Sequence, residues 1–142
     1  MTGSKHITEQ PGIEVCEKDG QLLAVVVRRS FRATSTRFIT PDSCNQQLGF
    51  VVYPAGSEIP RHAHLPLARS IVGTSEVLLV REGRCTAQIY DALRNLITEV
   101  ELAAGDVIVL NGGAHGFRVH ENTTLMEVKQ GPFTGLPEKE RF

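Results

Sequence analysis

Short apolar runs broken at close intervals by glycine, proline and Asn/Asp turns extend along almost the whole chain. Residues 76–82 and 84–91 flank Gly83 and predict a hairpin, with Glu76, Leu78 and Val80 on one face because successive strand side chains alternate. Residues 96–102 pair back onto 84–91 through Ala92-Leu93-Arg94-Asn95. Val107-Ile-Val-Leu110 is apolar on both faces and reads as a buried strand between the turns Ala104-Gly105-Asp106 and Asn111-Gly112-Gly113. His115, Phe117 and Val119 share one face of the next strand, and 124–129 forms the last. Nearer the start, 13–15 and 22–28 predict a hairpin turning at Asp19-Gly20, supported by the β-branched run Val25-Val26-Val27. Residues 34–41 carry at most a short strand; 47–53 are apolar on both faces and predict a central strand closed by Pro54-Ala55-Gly56. A strand over 60–64 follows, then a loop over 65–75. Residues 1–12 form a loose arm or edge segment and 131–142 a tail. With no helical pattern longer than a turn or two, the chain is all-β, a sandwich or barrel.

Composition changes this picture little. At 142 residues the chain makes one domain, able to bury roughly two-thirds of the surface its unfolded form exposes. A net charge of −1 gives no basic field for nucleic acid. The longest apolar run, 22–27, falls far short of the roughly 20 residues a membrane-spanning helix needs, and residues 1–10 hold no apolar signal core. A cytoplasmic location is the resulting expectation. Cys16, Cys44 and Cys85 are odd in number and have no paired spacing, so free thiols are expected.

The chemistry concentrates around Gly56-Ser-Glu-Ile-Pro-Arg-His62-Ala-His64. On an extended strand the period of two puts both imidazoles on one face, close enough to share an ion. Glu76, opening the next strand, adds a carboxylate, and His115 is the candidate for a fourth ligand from a third strand. Imidazoles and a carboxylate suit first-row divalent ions, and Fe(II), Mn(II), Ni(II), Cu(II) and Zn(II) all fit this donor set. Histidine also sits half-exposed on surfaces without any ligand role, and Glu76 and His115 are what favour metal over that reading. His6 and His120 are expected to be solvated, Tyr53 and Tyr90 to be core or rim aromatics, and Glu127 and Lys129 to face solvent. Arg69 is either a solvated loop residue or a cap gripping an anionic substrate through its planar fork.

Gly56, His62, His64, Glu76 and Gly83 resemble, in order, the first motif of the cupin family, G-x5-H-x-H-x(3,4)-E-x6-G. Eleven residues, 65–75, stand where that motif has three or four. Gly105 and His115 resemble the second motif, G-x5-P-x-G-x2-H-x3-N, but Asn111 replaces its proline, one residue rather than two separates Gly113 from His115, and the final asparagine is missing. The resemblance covers roughly residues 46–131 of a single domain spanning 1–142. It implies a double-stranded β-helix, or jelly-roll, whose inward residues surround a pocket holding a divalent transition metal on His62, His64, Glu76 and His115. Arg69, in the loop after His64, and Phe117, on the His115 face of its strand, are the candidates to line the substrate space. The resemblance also implies a homodimer.

Two classes of function follow. One is a metalloenzyme such as a dioxygenase or isomerase acting on a small polar or anionic metabolite; a related variant is the metal-free sugar-nucleotide epimerase or isomerase type of cupin, in which a histidine is the base and a tyrosine the acid. The stretch Glu127-Val-Lys-Gln-Gly-Pro132 resembles the ending of single-domain cupins linked to surface-polysaccharide metabolism, which keeps that variant open. The other class is a non-catalytic module that binds a small ligand. Neither nucleic acid nor membrane is an expected partner, and residues 65–75 are expected to form a mobile rim over the site.

Overall fold

The computed structural model describes residues 9–133 and 138–142. Ten strands and no helix occur among them: β1 (Ile13–Lys18), β2 (Gln21–Val27), β3 (Arg37–Phe38), β4 (Gly49–Phe50), β5 (Glu76–Glu82), β6 (Arg84–Tyr90), β7 (Leu96–Ala103), β8 (Val107–Leu110), β9 (Ala114–Val119) and β10 (Thr124–Lys129). The fold is all-β, and every strand pairing is antiparallel. A five-stranded sheet runs β1-β2-β8-β5-β10, a three-stranded sheet runs β7-β6-β9, and β3 with β4 forms a small third sheet. No helix among the described residues is long and apolar enough to cross a membrane.

The two larger sheets pack face to face. Leu23, Ala24, Val26, Leu78, Val80, Ile108 and Leu110 from one meet Cys85, Ala87, Ile89 and Leu102 from the other in a single buried cluster. Each fully buried Leu, Ile or Val contributes about 1.5–3 kcal/mol relative to leaving it in water. The opposite face of the five-stranded sheet is covered as well: Ile13, Val25, Val27 and Val109 pack beneath Ile39, Phe31, Leu48 and Phe50. This double coverage is why β2 and β8 read as continuous rather than alternating apolar runs.

The expected β1–β2 hairpin and the pairing of 84–91 with 96–102 are both present. The hairpin expected around Gly83 is not. β5 pairs with β8 and β10, whereas β6 pairs with β7 and β9, so Gly83 is a corner between sheets. Alternation shows which face of a strand is buried and is silent on which strand lies beside it, and β5 and β6 bury their apolar faces against each other across the core. Gly83 takes φ +85°, and a Cβ there would collide with the Asn122 carbonyl and with Thr123. Thr123 Oγ1 seals the corner by accepting from the Arg84 N–H at 3.2 Å, with the Glu121 carbonyl at 2.8 Å and the Arg84 carbonyl at 3.2 Å as acceptors for its single proton.

The turn into β8 is built on a buried carboxylate. Asp106 accepts from the backbone N–H of Arg29 (2.9 Å) and Ala103 (3.0 Å) and from Arg28 Nη1 (3.1 Å). Arg28 continues the network to both Glu14 carboxylate oxygens and to the Glu101 carbonyl.

Residues 47–53 do not form a central strand. Only Gly49–Phe50 pair, with Arg37–Phe38, and Val51, Val52 and Tyr53 are exposed. Residues 60–64 form no strand either, and every residue from 51 to 74 is exposed. Pro54, Pro60 and Pro66 each remove a backbone donor, and among the described residues no strand pairs with the rest. Of the expected N-terminal arm, residues 1–8 lie outside the described residues, and Gln10 bridges to Ile13.

Candidate functional site

Glu76 is the first residue of β5 and His115 the second of β9, so they belong to different sheets and meet across the mouth of the sandwich. Glu76 Oε2 lies 3.0 Å from His115 Nε2. The glutamate side chain is 7% exposed and the imidazole 32%, which places a nearly buried carboxylate behind a ring that still reaches solvent. Alternation along β5 explains the burial, because Glu76 shares the core face with Leu78 and Val80. The hydrogen bond from His115 holds the Glu76 carboxyl below its usual range; burial pushes the other way, and Glu127 and Lys139 add to the lowering. Phe117, two residues along β9, packs its ring edge-on with its centroid 6.0 Å from that of His115 and joins the sandwich core.

His62 and His64 form a second pair, with ring centroids 5.3 Å apart in an edge-on arrangement. His62 Nδ1 lies 2.8 Å from the Pro60 carbonyl. A carbonyl only accepts, so Nδ1 carries a proton, and in the neutral ring the Nε2 lone pair is then available for a ligand.

The chain thus brings Glu76 to His115 and His62 to His64, and among the described residues no three His, Cys, Asp or Glu side chains converge as a metal-holding group. Arg69 lies elsewhere, in a surface recess with Asp42, Ser43, Cys44, Asn45 and Gln47 whose lining includes neither Glu76 nor His115. The C-terminal end of the 65–75 loop is anchored. Asn45 Nδ2 donates to the Val72 carbonyl (3.0 Å), and the Ser75 N–H donates to Gln130 Oε1 (2.8 Å).

Two residues expected to be solvated are engaged. Lys129 on β10 keeps only 14% of its side chain exposed, with its ammonium over the Phe133 ring, while Glu127 on the same strand is exposed as expected. His120 Nε2 lies 2.6 Å from the buried Thr86 hydroxyl, which also bonds Glu101. Alternation put Glu127 and Lys129 on one face of a strand, but the side that face looks toward is set by the register of β10 on β5, where Lys129 stands opposite Glu76 and Glu127 opposite Leu78.

Compared with known proteins, the chain matches no family model, no curated protein and no solved structure. These side chains alone carry the functional reading.

Proposed function

We propose that the protein is a small cupin-like metalloprotein that binds a divalent transition metal within a jelly-roll fold and acts on a small polar or anionic metabolite. The observation that carries this reading is the buried Glu76 carboxylate standing 3.0 Å from His115 Nε2 at the open end of the sandwich. Two ligand atoms, each about 2.1 Å from one ion and at right angles, are about 3 Å apart, so the pair already has the spacing of neighbouring ligands. Their chemistry fits too: a carboxylate kept ionised by its surroundings and imidazoles with free lone pairs bind Fe(II), Mn(II), Ni(II), Cu(II) or Zn(II). A bound ion supplies Lewis acidity or a site for O₂. The chain's own groups do the rest. Glu76 supplies negative charge, His115 and the His62–His64 pair supply nitrogen, and Phe117 walls one side and limits water.

A second reading is favoured by the same contact. Without a metal, His115 Nε2–H donates to Glu76, which orients the ring and leaves Nδ1 as a general base, the arrangement a metal-free epimerase or isomerase requires.

Titration of untagged protein with Co(II), followed by its visible absorption, separates the two. The first reading expects a saturable band in the wild type that is lost in Glu76→Gln and in His115→Ala, with the β-sheet circular dichroism retained. Wild-type protein that never develops the band rejects the metal and leaves the acid–base reading.

A further inference from the structure

We infer that residues 51–74 of one copy cross to a second copy and add to the free edges of its sheets, carrying His62 and His64 to the partner's Glu76 and His115. This rests on the metal reading above for its chemistry, and on separate observations for its geometry.

The first observation is the segment itself. Twenty-four consecutive residues are exposed, and they include large apolar side chains such as Val72 (86%), Leu65 (85%) and Leu67 (67%). Within the segment, only Ser57 N–H to the Pro54 carbonyl (3.2 Å) joins backbone to backbone. A loop of that length with bare apolar groups and unpaired amides is rare in a finished domain, because both features cost free energy until something covers them. Side-chain bonds hold its two roots: Thr36 Oγ1 accepts from the Val52 N–H (2.9 Å), and Asn45 Nδ2 grips Val72.

The second observation is the surface left open. β9 and β10 are edge strands of their sheets, each paired on one side only. They border the mouth where His115 sits, and Val119, Met126 and Val128 along them are about half exposed or more. An unpaired edge accepts an extended segment by main-chain hydrogen bonding. Residues 61–65 are free of proline, being bounded by Pro60 and Pro66, and five extended residues span about 17 Å, close to the length of the six-residue β9.

The third observation is chemical. Each chain holds two half-sites, Glu76 with His115 and His62 with His64, and does not close them on each other. A two-fold exchange, in which each copy gives one segment and receives one, completes two identical sites and leaves no segment over.

Metal complementation between two defective variants tests this. His62→Ala/His64→Ala lacks the donated half and Glu76→Gln/His115→Ala lacks the receiving half, so neither alone develops the Co(II) band. Unfolded together in equal amounts and refolded, half of the dimers are mixed and each mixed dimer has one complete site of two. About one quarter of the wild-type absorbance is then expected. A wild type that binds Co(II) while the mixture recovers none overturns the exchange and leaves the metal reading standing, with residues 51–74 folding back onto their own sheets. If the wild type binds no Co(II), the metal reading fails and the exchange is read from mass by light scattering. Wild-type dimer that becomes monomer in Leu65→Asp/Leu67→Asp, with unchanged sheet circular dichroism, supports it. Wild-type monomer, or a dimer indifferent to that substitution, overturns it.

Discussion

The turn at Asp106 and the segment 51–74 are both connections between strands, yet they satisfy their polar and apolar groups in opposite ways. At Asp106 one carboxylate gathers two backbone N–H groups and the Arg28 guanidinium, and the strands on either side, β7 and β8, feed the core. Among the described residues no buried side-chain nitrogen or oxygen lacks a partner. Between β4 and β5 the chain instead leaves the body, exposes leucine and valine, and carries two histidines with it. One connection is finished within the chain. The other makes sense as a surface waiting for its complement, and the difference separates what a single copy can complete from what it leaves to association.

Asp106→Ala attacks the finished side most directly. It leaves two backbone donors without their acceptor and removes one partner of Arg28, whose guanidinium Glu14 and the Glu101 carbonyl still hold, and a loss of about 3 kcal/mol is expected in urea unfolding, most of it from the unsatisfied amides. Gly83→Ala should cost about 2 kcal/mol, because alanine is strained at φ +85° and its methyl meets the Asn122 carbonyl.

Glu76 sharpens the comparison through pH. Its folded carboxyl titrates below the ordinary value because the ionised form is favoured by His115, so the stabilisation is fully present above that ordinary value and is lost as pH falls through the depressed folded value. Glu76→Gln should therefore flatten the acid limb of the stability profile by about 1–2 kcal/mol relative to the wild type, measured by thermal unfolding across the carboxylate range.

Leu65→Ser gives the smallest effect on the chain itself, within about 0.5 kcal/mol in dilute solution, because the side chain is exposed there. The same substitution should remove the dependence of the melting temperature on protein concentration that an associating wild type shows. A melting temperature that falls sharply at all concentrations would mean that Leu65 packs within its own chain.

What was legible in the sequence follows the same division. The core face of β5, the doubly buried β2 and β8 and the β6–β7 hairpin could be read because local alternation and turn chemistry specify them. The parting of β5 from β6 could not, since it depends on β8 and β10 arriving from later in the chain. Val51, Val52 and Tyr53 read as a central strand because they are apolar, and apolarity does not say whether the cover comes from the same copy. Glu76 and His115, expected to share one ion, stand 3.0 Å apart, whereas the half-buried Lys129 and the bond from His120 to Thr86 depend on contacts between strands that carry no local signal.

Gly83 has a further consequence during synthesis. Because β5 turns away from β6 at that residue, its hydrogen-bonding partners are β8 and β10, which are translated later. At roughly 5–20 residues per second, the ribosome takes on the order of one to six seconds to pass from the end of β5 to the end of β8. Throughout that interval Leu78 and Val80 have no sheet to join. The nascent chain is therefore most open to aggregation, and to capture by holding chaperones, between residues 83 and 110, and slowing translation at that stretch should lower the yield of folded protein more than slowing it elsewhere.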